Sequence, residues 1–213
     1  HLLGLNRNNV PITDYTIGLD SEEKMTEKIK AHPWPIYKIK MSSPDDIDWL
    51  RVLRSNTDKP FRVDANEGLC FEDTKRLLPE LKQLGVELIE QPLAKTEWEA
   101  MKELKALSDI PLIADESCVT EIDVAKCVNS FDGINIKLTK CGGITPALRM
   151  ITEARKLGLK TMMGSMNEST IGSAAVAHLM PALNFVDVDG PLLLQEDVAT
   201  GLTYNNGIVQ VQN

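Results

Sequence analysis

The chain has 213 residues, 43% of them apolar, with 31 acidic against 23 basic side chains and a net charge of −8. That length supports one sizeable core, and the acidic balance argues against a nucleic-acid partner, which would call for a basic patch. No apolar run approaches the ~20 residues of a membrane span, and His1 opens no signal-peptide pattern. Cys70, Cys118, Cys127 and Cys141 form no C-x-x-C pair, and they read as reduced structural thiols in a cytoplasmic protein.

Residues 1–10 join no element. A first strand is predicted over Tyr15–Leu19, and Asp20 and Ser21 then cap a helix over Glu22–Ala31, acids first and lysines later. The second strand, Ile36–Lys40, precedes a strong helix start at Ser43-Pro44-Asp45-Asp46, whose Ile47, Leu50 and Leu53 share one face. A third strand, Phe61–Asp64, leads to a helix over Phe71–Leu84 stopped at Gly85. Gln91-Pro92 ends a fourth strand, Val86–Glu90. A helix over Glu97–Leu107 precedes the fifth strand, Pro111–Asp115, and a helix near Asp123–Val128 precedes the sixth, Gly133–Lys137. Cys141-Gly142-Gly143 makes a turn before a helix over Pro146–Lys156. The seventh strand is Leu159–Gly164, its helix Thr170–Met180, and the eighth strand Asn184–Val188. A hairpin about Asn206-Gly207 closes the chain.

Near-continuous apolar strands suit a parallel sheet buried on both faces. Six of them end on an ionisable side chain: Lys40, Asp64, Glu90, Asp115, Lys137 and Asp187. A βα repeat with charge at the C-terminal strand ends describes an α/β protein of the TIM-barrel kind, whose active site lies at that rim. Asp64, Glu90 and Asp115 close three adjacent strands, so their carboxylates should converge. Three like charges together are costly without a cation, and an all-oxygen set without histidine or cysteine favours Mg²⁺. Singly, each carboxylate reads more readily as a helix cap or a lysine partner; the three in register point to the metal.

Lys40 and Lys137 end strands two and six, on opposite sides of an eight-stranded mouth. Each could act as a proton-transfer base if its pKa falls, or could be a salt-bridge partner of the carboxylates. Lys38 shares a strand face with Lys40, and with the metal should depress its pKa. Asp187 and Asp189 end strand eight with no lysine or arginine adjoining them in sequence, an unused negative site suited to an ammonium, or a helix cap. Ser165, Asn167 and Glu168 offer polar atoms at the end of strand seven, where a turn explains them equally well. Asn66 and Glu116 follow metal-type carboxylates as candidate hydrogen-bonding supports. His32 and His178 lie on or beside helices, in core or surface roles.

These strings resemble the enolase superfamily and, within it, the muconate-lactonizing-enzyme subgroup. The carriers are Lys38-Ile39-Lys40, Val63-Asp64-Ala65-Asn66, Ile89-Glu90-Gln91-Pro92, Ala114-Asp115-Glu116-Ser117 and Asn135 through Gly143. Asp187-Val188-Asp189 is similar to the D-x-D motif of dipeptide epimerases. The resemblance implies a modified (β/α)₇β barrel over residues 14–191, with Mg²⁺ on Asp64, Glu90 and Asp115. It implies that Lys40 and Lys137 exchange the α-proton of a dipeptide's C-terminal residue through an enediolate, while Asp187 and Asp189 hold its α-ammonium. It further implies an N-terminal capping domain over the mouth, with residues 1–13 as its remnant and linker, and residues 192–213 packing toward it. A homo-oligomer is compatible with this pattern. The rival readings are a cycloisomerase or o-succinylbenzoate synthase, whose substrates carry no ammonium, and a catalytically silent barrel.

Overall fold

The computed structural model describes Leu5 and residues 10–212, so the N-terminal stretch expected to be a remnant lies largely outside the described residues. Eight parallel strands run in consecutive order. They are β1 (Tyr15–Ile17), β2 (Tyr37–Lys40), β3 (Phe61–Asp64), β4 (Val86–Glu90), β5 (Leu112–Ala114), β6 (Gly133–Ile136), β7 (Lys160–Gly164) and β8 (Phe185–Asp187). One further bridge, Thr13 to Val186, brings β8 back to the residues just ahead of β1 and closes the sheet into a barrel. Consecutive parallel strands need a crossover between them, and here the crossovers are helical.

The outer layer begins with α1 (Glu22–Ala31), α2 (Ile47–Arg54), α3 (Phe71–Gln83) and α4 (Trp98–Leu107). Ser21 caps α1 by accepting from the Lys24 amide. Ahead of α2, a 3₁₀ turn over Pro44–Asp46 starts from a capping box in which Asp46 Oδ2 accepts from the Ser43 amide at 2.9 Å. Ile47, Leu50 and Leu53 are all buried, as their spacing predicts. Full burial of each is worth roughly 1.5–3 kcal/mol.

The helix expected near Asp123–Val128 is a 3₁₀ segment, Glu121–Asn129, instead. Its two buried residues, Val124 and Cys127, are three apart, the repeat that a 3₁₀ turn stacks on one side. After β6 the chain makes a short helix, α5 (Leu138–Cys141), and then α6 (Ile144–Lys156), which starts two residues earlier than expected. Gly142 (φ 94°) and Gly143 (φ 115°) form the joint, a backbone path that side chains resist.

α7 (Thr170–Ala177) stops short of Met180, because Pro181 belongs to a separate 3₁₀ turn, Met180–Ala182. The short α8 (Gly190–Leu193) follows β8. The predicted hairpin is present as β9 (Leu202–Asn205) and β10 (Ile208–Val211). Asn206 and Gly207 both lie at positive φ, as a two-residue hairpin turn with right-handed twist requires. It docks beside α7 and the β1–β8 seam, where the Gly207 carbonyl accepts from the Thr13 amide at 2.8 Å.

The main core lies between the sheet and its helices. A smaller apolar plug of Leu88, Ile113 and Met162, backed by Phe185, fills the barrel's lower interior.

Candidate active site

Residues two apart on a strand share a face. Inward-facing Leu88, Ile113 and Phe185 therefore place Glu90, Asp115 and Asp187 inward one layer above them, and Arg62 stands below Asp64 in the same way. Lys40, Asp64 and Glu90 are direct neighbours in the strand register. The apolar plug and the Arg62 side chain lie beneath these charges, and the pocket above them is at the C-terminal rim.

Lys38 Nζ lies 2.7 Å from Asp187 Oδ2, 2.9 Å from Glu90 Oε2 and 3.0 Å from Asp64 Oδ2. Lys40 Nζ donates to Asp64 Oδ2 at 2.7 Å and to Asn66 Oδ1 at 2.8 Å. Across the mouth, Lys137 Nζ donates to Asp115 Oδ2 at 2.6 Å and Lys140 Nζ to Asp115 Oδ1 at 2.7 Å. Asn66 Nδ2 reaches Glu116 Oε1 at 3.2 Å, joining the two expected supports to each other.

Two expectations change. Asp187 is not unpaired, because Lys38 reaches it from β2; pairing across the barrel is invisible to a reading of sequence neighbours. Nor do the carboxylates of Asp64, Glu90 and Asp115 close on one another. Among the described residues, the acidic trio whose oxygens gather within 4.8 Å is Asp14, Asp187 and Asp189. Lys38 stands between Asp64 and Glu90, while Lys137 and Lys140 hold Asp115.

Burial alone would raise the Asp64 carboxyl, but Lys38 and Lys40 outweigh it and hold the group below the usual range. Glu90 is pushed up to about 7 by burial and by the charge of Asp64, with Lys38 only partly offsetting them. Asp189 is pushed up to about 7 by burial and by Asp187. Burial opposes the charge on Lys38, yet Asp187, Glu90 and Asp64 raise it well above its ordinary value. Lys137 is raised too, as Glu90 and Asp115 overcome its desolvation. Charged groups so perturbed by identified partners, gathered in one cleft, mark a functional site.

The mouth holds a pocket of about 470 Å³ whose lining includes Lys40, Lys137, Asp115, Asp187, Asp189, Ser165 and Asn167. Opposed lysines, Asp115 and an acidic pair thus share one cavity, with Asp64 and Glu90 buried beneath its lining.

A model of the Enolase C-terminal domain-like family matches residues 20–213. The chain belongs to that family. It is 55% identical to the L-Ala-D/L-amino acid epimerase of Flavobacterium johnsoniae, covering 95% of this chain and 60% of that protein. It is 36% identical to the L-Ala-D/L-Glu epimerase of Bacteroides thetaiotaomicron, over 99% of this chain and 56% of that one. Among solved structures, the dipeptide epimerase of Cytophaga hutchinsonii, complexed with Mg and the dipeptide D-Ala-L-Val, superposes with a TM-score of 0.90. The two are 30% identical over 99% of this chain and 61% of the other. The chain spans about 60% of the length of the curated relatives it matches.

Within this enolase-family barrel, several residues of the site escape a reading of strand ends. Asn135 donates to Glu90 Oε1 at 2.6 Å; its place two residues before Lys137 was the available signal. Gly164 makes room, since a Cβ there would sit 2.8 Å from Asn135 Nδ2 and 3.2 Å from Lys137 Cε. Gln91 accepts from the Asp115 and Ser117 amides and so aims the loop that carries Asp115. Asn66 (φ 42°) and Gln91 (φ 39°) both hold left-handed backbone beside metal-type carboxylates, strain of the kind that collects at working sites. Thr16 joins the rim by donating its amide to Asp189 Oδ2 at 2.6 Å.

Proposed function

We propose that this chain is the catalytic barrel of a Mg²⁺-dependent dipeptide epimerase, which inverts the α-carbon of the dipeptide's C-terminal residue by 1,1-proton transfer. The observation that carries the reading is a pocket with lysines on opposed strand ends, Lys40 and Lys137, and with Asp187 and Asp189 in the same wall. Relatives and solved neighbours that are dipeptide epimerases support it.

The donor set fits a hard divalent cation. Asp64, Glu90 and Asp115 offer only oxygen, and Glu90 Oε2 is buried without a hydrogen bond. Magnesium bound there would supply a Lewis acid for the charge that grows on the substrate carboxylate as the α-proton leaves.

The remaining work falls to this chain's own side chains. One lysine takes the proton from one face of the α-carbon, and the other returns a proton to the opposite face. Lys137 is 7% exposed, so the charge of Asp115 and Glu90 is what keeps it protonated. Once those carboxylates are engaged elsewhere, burial lowers its pKa toward the range of a useful base. Asp187 and Asp189 hold the substrate's ammonium by charge-assisted hydrogen bonds, which sets the distance of the α-carbon from both lysines. Met166 and Leu193 stand 51% and 43% exposed at the rim, an apolar border suited to a covering domain that would exclude water from the reaction.

The test is α-deuterium exchange and epimerisation across a library of dipeptides and N-acylamino acids, using the full chain with magnesium. Exchange on free-amine dipeptides above all other members supports the reading. Exchange on N-acylamino acids alone, or on none, removes it.

A further inference from the structure

The barrel has a weak seam. Among the described residues, backbone pairing across the β1–β8 edge is the single Thr13–Val186 bridge, supplemented by the Thr16 amide donating to Asp189 Oδ2 at 2.6 Å and the Val188 amide donating to Thr13 Oγ1 at 2.9 Å, whereas every other neighbouring pair is joined by regular strand pairing. Asp187 and Asp189 stand on one side of that seam, Asp14 and Thr16 on the other. Their relative placement therefore rests on what crosses it.

Arg62 crosses it from β3. Its Nη1 donates to Asp14 Oδ2 at 2.9 Å and to the Val186 carbonyl at 2.8 Å, so one nitrogen ties both edges together. Its Nε donates to Glu87 Oε1 at 2.6 Å, and the guanidinium lies 5.3 Å from the centre of the Phe185 ring. Arg62 is 3% exposed and Asp14 fully buried. A planar group anchored at three points has little freedom to move, which a flexible ammonium would not match. Asp14 in turn packs its carboxyl within 4.8 Å of Asp187 and Asp189.

We propose that Arg62 is a positioning residue for recognition of the substrate amine: through Asp14 and Val186 it fixes the strand that presents Asp187 and Asp189. This inference rests on the reading of that acidic pair as the ammonium site. It gives a residue at the barrel floor, which touches no substrate, a share in choosing free-amine over N-acylated ligands.

The experiment uses the full chain with magnesium. It measures dissociation constants for a free-amine dipeptide and its N-acetyl analogue, in the parent protein, Arg62→Met and Arg62→Lys, alongside unfolding midpoints. Arg62→Met should cut the preference for the free amine at least about tenfold, the scale of one charge-assisted hydrogen bond. Affinity for the N-acetyl analogue should change far less. Arg62→Lys should recover part of the preference, because its ammonium can still pair with Asp14. Equal weakening for both ligands would make Arg62 merely structural and overturn the inference. If Arg62→Met does not fold, Asp14→Asn decides on the same ratio, and an unchanged ratio overturns it. A parent protein with no preference for the free amine removes the ammonium site and the inference together. An unchanged ratio in variants of a parent that has the preference removes the inference alone.

Discussion

Lys38 Nζ lies 2.9 Å from Glu90 Oε2, yet that oxygen receives no hydrogen bond. The ammonium donates to Asp187 Oδ2 at 2.7 Å and serves Glu90 as a neighbouring charge. A single buried cation thus serves three carboxylates, with Lys40 also on Asp64. Lys38→Met should cost the metal-free protein about 3–5 kcal/mol, the usual penalty for stripping one partner from a buried ion pair. Magnesium should then raise the unfolding midpoint of the variant more than that of the parent, by supplying the missing charge. Equal metal-free midpoints for parent and variant would contradict this.

Magnesium binding should depend on Asp64, Glu90 and Asp115 together. Asp64→Asn, Glu90→Gln and Asp115→Asn should each weaken magnesium at least tenfold by calorimetric titration, because each exchanges an anionic ligand for a neutral one. Lys140 draws on the same Asp115 carboxylate, so Lys140→Met should shift magnesium affinity in the opposite direction. A magnesium-soaked crystal should show oxygen–metal distances of about 2.0–2.1 Å. Density for the ion elsewhere, with these carboxylates still on their lysines, would defeat the assignment.

On the proposed mechanism, Lys40 and Lys137 divide the proton transfer. Lys40→Ala and Lys137→Ala should each abolish epimerisation in both directions, by at least the roughly 10²–10⁴-fold of a positioned acid/base group. Each variant should still exchange the α-proton of one epimer, and the two should choose opposite epimers. Exchange of the same epimer by both variants would rule the two-base mechanism out.

Amine recognition should depend on pH. Asp189 is held up at about 7 by burial and Asp187, and it must be ionised to hold an ammonium. Affinity for a free-amine dipeptide should therefore fall as pH drops through about 7 and fall again above about 8, where the dipeptide's amino group loses its proton, while the N-acetyl analogue shows neither change. The same shift has a consequence for stability. The native carboxyl keeps its proton over a range where the unfolded one, with a pKa near about 3.9, has lost it. Asp189 thus costs stability as pH rises from about 4 to 7. Asp189→Asn should remove the rise in amine affinity through pH of about 7 and reduce the stability dependence, to which Glu90, also pushed up to about 7, still contributes; calorimetric titrations at several pH values together with unfolding midpoints would show it.

Much of this was legible in the chain itself. Apolar runs that recur at a βα interval, each ended by a charge, specify a barrel with its chemistry at one rim, because strand alternation carries an inward side chain up from the plug below. Asp64 above Arg62 and Glu90 above Leu88 follow from that alone, as do the lysines on β2 and at the end of β6. Tertiary structure decided the partners. Lys38 reaches Asp187 over 149 positions of sequence and Arg62 reaches Val186 over 124. Neither pair leaves a local mark, since the energy of an ion pair depends on distance and burial in space. Closure of the barrel at Thr13 and Val186 brought those groups together. It set which carboxylate each cation serves, and so turned a row of strand-end charges into a pocket with opposed lysines and an acidic wall.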